Sequence, residues 1–332
     1  MKLILNNAVA LAKAPLVYVV IVNFNGMRWL AECLSSLFAT RYDNFEVVLV
    51  DNHSADDSVA FVRAHFPQAH VIVNADNLGF CEGNNVGIQA ALSSGAQYVV
   101  LLNNDTKLTE NWLTELIQVG EQMPTVAVLG AVQLSYNGTK FNSWTTTAAR
   151  AHLTELGSPE TARAWIPMRW VEGSCFAIKR HVLEEVGWLD PIYFMYYEEI
   201  DYCRRVQAHG YQVALVPRSR IHHFRGGTAK LDEAARRQRE RLYDRSHLIY
   251  HATDLRHSLA FNFGRYWLTV VYKFLEQIRR RRLYRLRDIV SLQPEIFSST
   301  KRLLQKWQID RRRLRAAPAL LAPAEAAVGA AK

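Results

Sequence analysis

The 332 residues, 49% hydrophobic and 21% charged, are enough for one large or two modest domains with a proper core and too apolar for a disordered chain. The formal charge of +9 is concentrated at one end: Glu276 to Arg315 holds thirteen Lys or Arg against four acids, so the rest is neutral overall. A nucleic-acid-binding body is thereby disfavoured, since the positive charge is confined to a tail and no recognition motif accompanies it.

Four cysteines, Cys33, Cys81, Cys175 and Cys203, lie far apart with no CxxC pair, the pattern of buried thiols in a reducing compartment. Met1 to Ala14 carries a lysine, an apolar stretch and an Ala-x-Ala-like end, like a signal peptide. Asn6 and Asn7 interrupt that run, and cleavage would leave the next strand almost no lead-in, so 1–15 is read as a retained extension. No stretch reaches the ~18 apolar residues of a membrane span, and the thiol pattern leads to the expectation of a cytoplasmic protein, either free or peripheral on the cytoplasmic face of the membrane.

Leu16 to Val22 is a valine-rich apolar run, as in a buried parallel strand. Trp29, Leu30, Cys33, Leu34, Leu37 and Phe38 then recur at helical spacing, and Glu46 to Val50 forms a second strand ending at Asp51. Ser54 with Asp57 offers a capping box for a helix to about His65. A strand at His70 to Val73 leads through a Gly/Asn-rich loop to a helix near Gly83 to Ser93, and Gln97 to Leu102 is a further strand. Repeated units of this length predict an α/β protein with an open, mostly parallel sheet flanked by helices.

In such sheets ligands sit beyond the carboxyl ends of the strands. Three polar clusters fall there: Asn23-Phe24-Asn25, Asp51-Asn52 and Asn103-Asn104-Asp105. A carboxylate like Asp105 beside two amides suits a divalent cation bridging nucleotide phosphates, or equally a helix N-cap before Thr109 to Gly120. Asn77 to Asn85 contains Gly79 and Gly83, which permit close backbone approach to a ligand but suit a plain turn as well.

After Ala127 the alternation loosens. Trp170 to Ile178 reads as a strand, Arg180 to Val186 as a helix closed by Gly187, Glu198 to His209 as a helix closed by Gly210, and Tyr211 to Val216 as a strand stopping at Pro217. Three acids in four residues, Glu198, Glu199 and Asp201, are costly to place together unless a proton or cation is shared, or unless they complement a helix dipole. Glu198 and Asp201 share a face and Glu199 points about a quarter turn away, at ~100° per residue. His222 and His223 follow before Gly226-Gly227-Thr228, as a structural pair or as metal ligands.

Ser258 to Phe274 mixes Phe261, Phe263, Tyr266, Trp267, Leu268, Val270, Val271 and Phe274 with only Arg265 and Lys273 charged, and Arg279 to Arg282 follows. Such a segment suits docking on an anionic membrane surface, or packing as an ordinary helix with a solvated face. Ala316 to Lys332 is an Ala/Pro-rich tail expected to be disordered.

Taken in order, Val20-Ile21-Val22-Asn23-Phe24-Asn25, Val48-Leu49-Val50-Asp51-Asn52, Asn77-Leu78-Gly79-Phe80 through Asn85-Val86-Gly87 and Leu101-Leu102-Asn103-Asn104-Asp105-Thr106 resemble the family 2 glycosyltransferases. Glu172-Gly173-Ser174, Gly187-Trp188-Leu189-Asp190, Tyr197-Glu198-Glu199-Ile200-Asp201 and Gly210-Tyr211 through Pro217 continue the likeness. It covers roughly 16–250 and is strongest to the rhamnosyltransferase-like branch.

The resemblance implies an inverting enzyme of GT-A fold, with a donor half at about 16–130, an acceptor half at about 131–228, a helical basic region at 229–315 and a tail at 316–332. It makes Asp51 the acid contacting the base or ribose, and Asn23, Asn25, Asn77, Gly79, Asn85 and Asn104 donor-loop residues. Glu172, Gly173 and Ser174 fall on the acceptor side. Asp105 and one histidine, His223 by spacing to Thr228 or else His222, would hold Mg²⁺ or Mn²⁺. Glu199 falls at the general base.

Two departures stand out. Asn103 replaces the first acid of Asp-x-Asp, and Glu199 is one methylene longer than the usual aspartate, leaving Glu198 or Asp201 as alternatives. The implied donor is a dTDP- or UDP-sugar, and the implied acceptor a glycan or lipid-linked glycan in polysaccharide or cell-envelope assembly. The rivals are a nucleotidyl-transferring protein, disfavoured because there is no Walker-type loop, and a catalytically inactive nucleotide-binding scaffold, which Asn103 keeps open.

Overall fold

The structure is a computed structural model that describes residues 14–224, 233–282 and 284–316. Most of the 1–15 extension, the Gly226-Gly227-Thr228 stretch and the tail beyond Ala316 therefore lie outside the described residues.

The predicted alternation is present: β1 (Val17–Asn23), α1 (Met27–Phe38), β2 (Phe45–Asp51), α2 (Ser58–His65), β3 (His70–Val73), α3 (Gly79–Ser93) and β4 (Tyr98–Asn103). These strands pair in parallel in the order β3-β2-β1-β4. Successive strand residues face opposite sides, so Val17, Val19 and Ile21 pack on Leu30, Cys33, Leu34 and Leu37 of α1, while Val20, Val48 and Val50 pack on Cys81, Ile88 and Ala91 of α3. A sheet covered on both faces needs unbroken apolar runs.

Then follow β5 (Thr106–Leu108), α4 (Trp112–Gln122), β6 (Val126–Ser135), α5 (Ser143–Ala148), α6 (Leu153–Gly157), β7 (Ile166–Met168), β8 (Cys175–Lys179), α7 (Arg180–Val186), α8 (Glu198–Ala208) and β9 (Gln212–His223). The sheet continues β4-β8-β6-β9-β5, with β7 on β9. Strand β8 is antiparallel to both neighbours, which is why the regular alternation dissolves after Ala127. Helices α9 (Glu233–Ala252), α10 (Leu259–Arg279) and α11 (Tyr284–Ser298) share a small core of Leu248, Tyr266, Leu292 and Ile296, and α12 (Thr300–Ala316) crosses back to α7.

Several local expectations are corrected. Of Trp170 to Ile178 only the end is strand, and Trp170 to Ser174 is loop. Strand β9 does not stop at Pro217. Its register with β6 jumps from Ala131↔Val216 to Val132↔Arg220, so the proline sits in a bulge and the strand runs on to His223. The capping box does not form, because Ser54 gives its hydroxyl to Asp51 and α2 starts at Ser58 without a side-chain cap. Nor is Asp105 an N-cap: it lies in the turn between β4 and β5, and α4 begins at Trp112.

Candidate active site

A cavity of 1210 Å³ opens beyond the carboxyl ends of β1, β2 and β4. Strand register places Asn23 level with Asp51 and Val22 level with Asn103, so the three polar clusters share one edge. Asn104 Nδ2 donates to Asn23 Oδ1 (2.8 Å), and Asn23 Nδ2 donates to Asp51 Oδ1 (2.9 Å). Asp51 also accepts from the Ser54 amide and hydroxyl. A Cβ on Gly26 would lie 2.2 Å from Asn104 Nδ2 and 2.3 Å from Asn23 Oδ1, so only glycine lets these loops converge.

Of the expected donor residues, Asn25, Asn77, Gly79 and Asn104 reach the cavity wall. Asn23 and Asp51 are buried behind it and brace it. Asn85 does not reach it: its side-chain amide donates to the Leu189 carbonyl (2.9 Å) and Glu82, tying α3 to the chain below. Asn52, not singled out from the sequence beyond its place beside Asp51, lines the cavity and donates to the Gly79 carbonyl (2.8 Å), fixing a residue held at φ +78°.

The turn after β4 brings Asp105 Oδ1 within 3.1 Å of His223 Nε2. Alternation along β9 sends His222 to the other face, against Gly138 and away from the cavity, so the histidine pair does not act as a pair. The tautomer of His223 follows from a backbone anchor. Asn142 Oδ1 accepts from the Thr145 amide, so its Nδ2 donates, and it does so to Gln133 Oε1 (2.7 Å). That oxygen can only accept, so His223 Nδ1, 3.0 Å away, carries a proton.

With Nδ1 carrying its proton, Nε2 is the ring nitrogen that faces Asp105, and without a second proton it is an acceptor. Two acceptors at this distance call for a proton or a cation between them. The buried Asn103 Oδ1 has no hydrogen-bond partner among the described residues, and the Nδ2 of the same side-chain amide lies 3.5 Å from His223 Nε2. One carboxylate, one imidazole nitrogen and one amide oxygen are a donor set that fits Mg²⁺ or Mn²⁺.

Opposite stand the acids of α8. The chain enters this helix through Tyr196 and Tyr197, both at φ 70°, a conformation costly for residues other than glycine. Tyr197 is held by stacking on His247 and by contacts with Tyr243 and Tyr250 of α9. Glu198 and Glu199 both line the cavity, and each has a buried Oε2 with no hydrogen-bond partner among the described residues. Burial pushes the Glu199 carboxyl up to about 7, with Glu172 adding repulsion. Glu198 is pushed well above the ordinary range by burial and by Glu199's charge.

Asp201 is excluded from the cavity. It is fully buried and paired with Arg204, Arg205 (2.9 Å) and Lys306 (3.1 Å), which hold its carboxyl far below the usual range against the cost of burial. Glu172, Gly173 and Ser174 do line the cavity, and Gly173 passes close to the Glu199 side chain. Asn142 donates to Glu172, and Gln133 to the Ser174 hydroxyl, so His223 and the Glu172–Ser174 loop share one polar network.

The far wall comes from the basic C-terminal region, which the sequence had not placed at a site. Lys273 and Arg285 line the cavity while paired with Asp244, and Arg280 lines it beside Glu276. Trp29, with Arg28 over its ring at 4.1 Å, completes the rim.

Solved proteins share this arrangement of elements. The mannosyltransferase PcManGT from Pyrobaculum calidifontis, in complex with GDP-Man and Mn²⁺, matches with a TM-score of 0.56 at 17% identity over 92% of this chain and 86% of that one. Residues 1–349 of S. aureus TarS, in complex with UDP, match with a TM-score of 0.52 at 12% identity over 91% and 88%. The fold is that of the GT-A glycosyltransferases.

The sequence profile described as glycosyl transferase family 2 matches residues 18–187, just over half of the chain, and the protein belongs to that family. The low-salt glycan biosynthesis hexosyltransferase Agl10 of Haloferax volcanii is 28% identical over 193 residues, 57% of this chain and 61% of that one, so the match spans less than two thirds of that relative's length. The N-acetylglucosaminyl-diphospho-decaprenol L-rhamnosyltransferase of Mycobacterium tuberculosis is 23% identical over 249 residues, 65% and 78% of the two chains.

Proposed function

We propose that this protein is an inverting glycosyltransferase that moves a sugar from a nucleoside-diphosphate donor to a hydroxyl of a glycan or lipid-linked glycan. The observation that carries the reading is that Glu199, with its carboxyl near neutrality, lines the same cavity as the Asp105–His223 pair. The rhamnosyltransferase relative supports rhamnose as the sugar, and the proposed donor carries it on dTDP or UDP.

A sugar hydroxyl is a weak nucleophile, and a base titrating near the working pH is the most effective at taking its proton. Glu199 accepts that proton as the hydroxyl oxygen bonds to the anomeric carbon. The bond from that carbon to the diphosphate oxygen breaks on the opposite side, and its electron pair leaves with the diphosphate. Glu198, its carboxyl pushed well above the ordinary range by burial and by Glu199's charge, favours its protonated form and is the weaker candidate for the base. A cation held by Asp105, His223 Nε2 and Asn103 Oδ1 would supply positive charge beside the leaving diphosphate. Asn103 contributes no charge, so the hold on that ion is weaker than an acid would give.

No helix among the described residues is long and apolar enough to cross a membrane. The four buried, unpaired cysteines suit a reducing compartment, and we place the reaction on the cytoplasmic side. The test is thermal stability with UDP, dTDP or GDP, each with Mn²⁺, Mg²⁺ or chelator. One nucleotide at ~100 times its Kd should stabilise the fold by about 2.7 kcal/mol. That shift should vanish with chelator and in Asp105→Ala. A flat response to all three nucleotides would remove the donor site.

A further inference from the structure

Helix α10 is built inside out. Its buried positions are polar or amphipathic: Asn262 at 0% exposure, Lys273 at 6%, Gln277 at 5%, and Tyr266, whose hydroxyl is hydrogen-bonded to Gln293. Its outward positions are Phe261, Leu268, Val271, Tyr272, Leu275 and Ile278, between 46% and 72% exposed. At ~100° per residue these fall within a stripe about 120° wide, the width of a core-facing stripe in an ordinary globular helix. Nothing among the described residues covers it. Trp267 extends the stripe onto α11, its ring 6.1 Å from that of the exposed Phe297. A contiguous apolar surface of this kind marks an interaction site.

The surroundings of the stripe specify the occupant. Arg279 lies on the stripe's own line one turn beyond Leu275, and Arg279 to Arg282 are all exposed. Aromatic rings stand along the stripe, where an interface between hydrocarbon and headgroups favours them. Apolar and aromatic residues on one face with clustered arginines at its end complement hydrocarbon bordered by anionic headgroups. The opposite face of the same helix supplies Lys273, Glu276, Gln277 and Arg280 to the cavity.

We propose that the outward face of α10 is a docking surface for an anionic lipid bilayer, so that the enzyme lies on the membrane with its cavity wall directly above the headgroups. This goes beyond the transfer reaction and does not depend on it. Where that reaction holds, it explains how a lipid-linked acceptor reaches Glu199 while its lipid stays in the bilayer.

Flotation of the full-length protein tests the proposal, using vesicles of phosphatidylcholine with or without phosphatidylglycerol. The protein should rise with the anionic vesicles and largely stay behind with the neutral ones. Leu268→Glu with Leu275→Glu should cut recovery roughly tenfold or more, since the change removes apolar burial and adds repulsion. Its thermal melt should remain cooperative, which separates lost docking from lost folding. Arg279→Gln with Arg281→Gln should weaken only the preference for anionic vesicles. Wild-type protein that fails to float, or a folded double glutamate variant that floats as well as wild type, would overturn the proposal. So would a concentration-dependent dimer abolished by the glutamates in protein that does not float, because the stripe would then be covered by a second copy.

Discussion

The first turn of α8 has two sides that treat a carboxylate in opposite ways. On the cavity side Glu199 has no cation paired with it among the described residues, and burial raises its carboxyl to about 7. On the side facing α12, Asp201 is more deeply buried still but meets Arg204, Arg205 and Lys306, and its carboxyl is driven far down. Burial alone therefore does not decide what an acid does; the partners it is buried with do. One acid is left unpaired at the cavity, where the proposed reaction needs a base, and its neighbour two residues on ties α12 to α8.

The sharpest way to break this contrast is Asp201→Asn. Removing one member of a buried ionic cluster strands the others, at a cost of about 3–5 kcal/mol. Urea denaturation should show that loss at neutral pH. The carboxyl is depressed in the folded state, so its contribution is full above its unfolded value near 4 and fades as the pH falls below it. The gap between wild type and variant should narrow accordingly. An unchanged midpoint would mean that the cluster does not anchor α12.

A smaller effect is expected on the cavity side from Gln133→Leu. This change removes the acceptor that fixes the proton on His223 Nδ1. Loss of such a supporting hydrogen bond lowers metal affinity by roughly 10–100-fold. Titration of Mn²⁺ against nucleotide-induced thermal stabilisation would measure it, and equal affinity would detach Gln133 from the ion site.

The donor edge was legible because β1, β2 and β4 are unbroken apolar runs ending in Asn or Asp, and the sheet aligns those ends. Spacing to Thr228 favours His223 over His222, but a strand that stops at Pro217 supplies no physical reason for that choice. Once the strand runs through its bulge, alternation alone sends them to opposite faces. The role of Asp201 was half-legible: Arg204 and Arg205 stand three and four residues on, where a helix brings side chains together, but Lys306 is 105 residues away. Helix α10 shows the limit most clearly. Its pattern is as amphipathic as that of α1, yet α1 turns its apolar stripe inward and α10 turns its own outward. Periodicity gives the stripe, and only tertiary packing gives its direction.

The most direct test of the account is the pH profile of sugar transfer by wild type and Glu199→Gln, with the donor fixed by the nucleotide screen. Glu199 must be ionised to act, so wild-type kcat/KM should climb about tenfold per pH unit toward an inflection near 7 and then level. Glu199→Gln should lose roughly 10²–10⁴-fold across the range and lose the inflection, while binding nucleotide as wild type does. Wild-type turnover in that variant, or an inflection that survives it, would contradict Glu199 as the base.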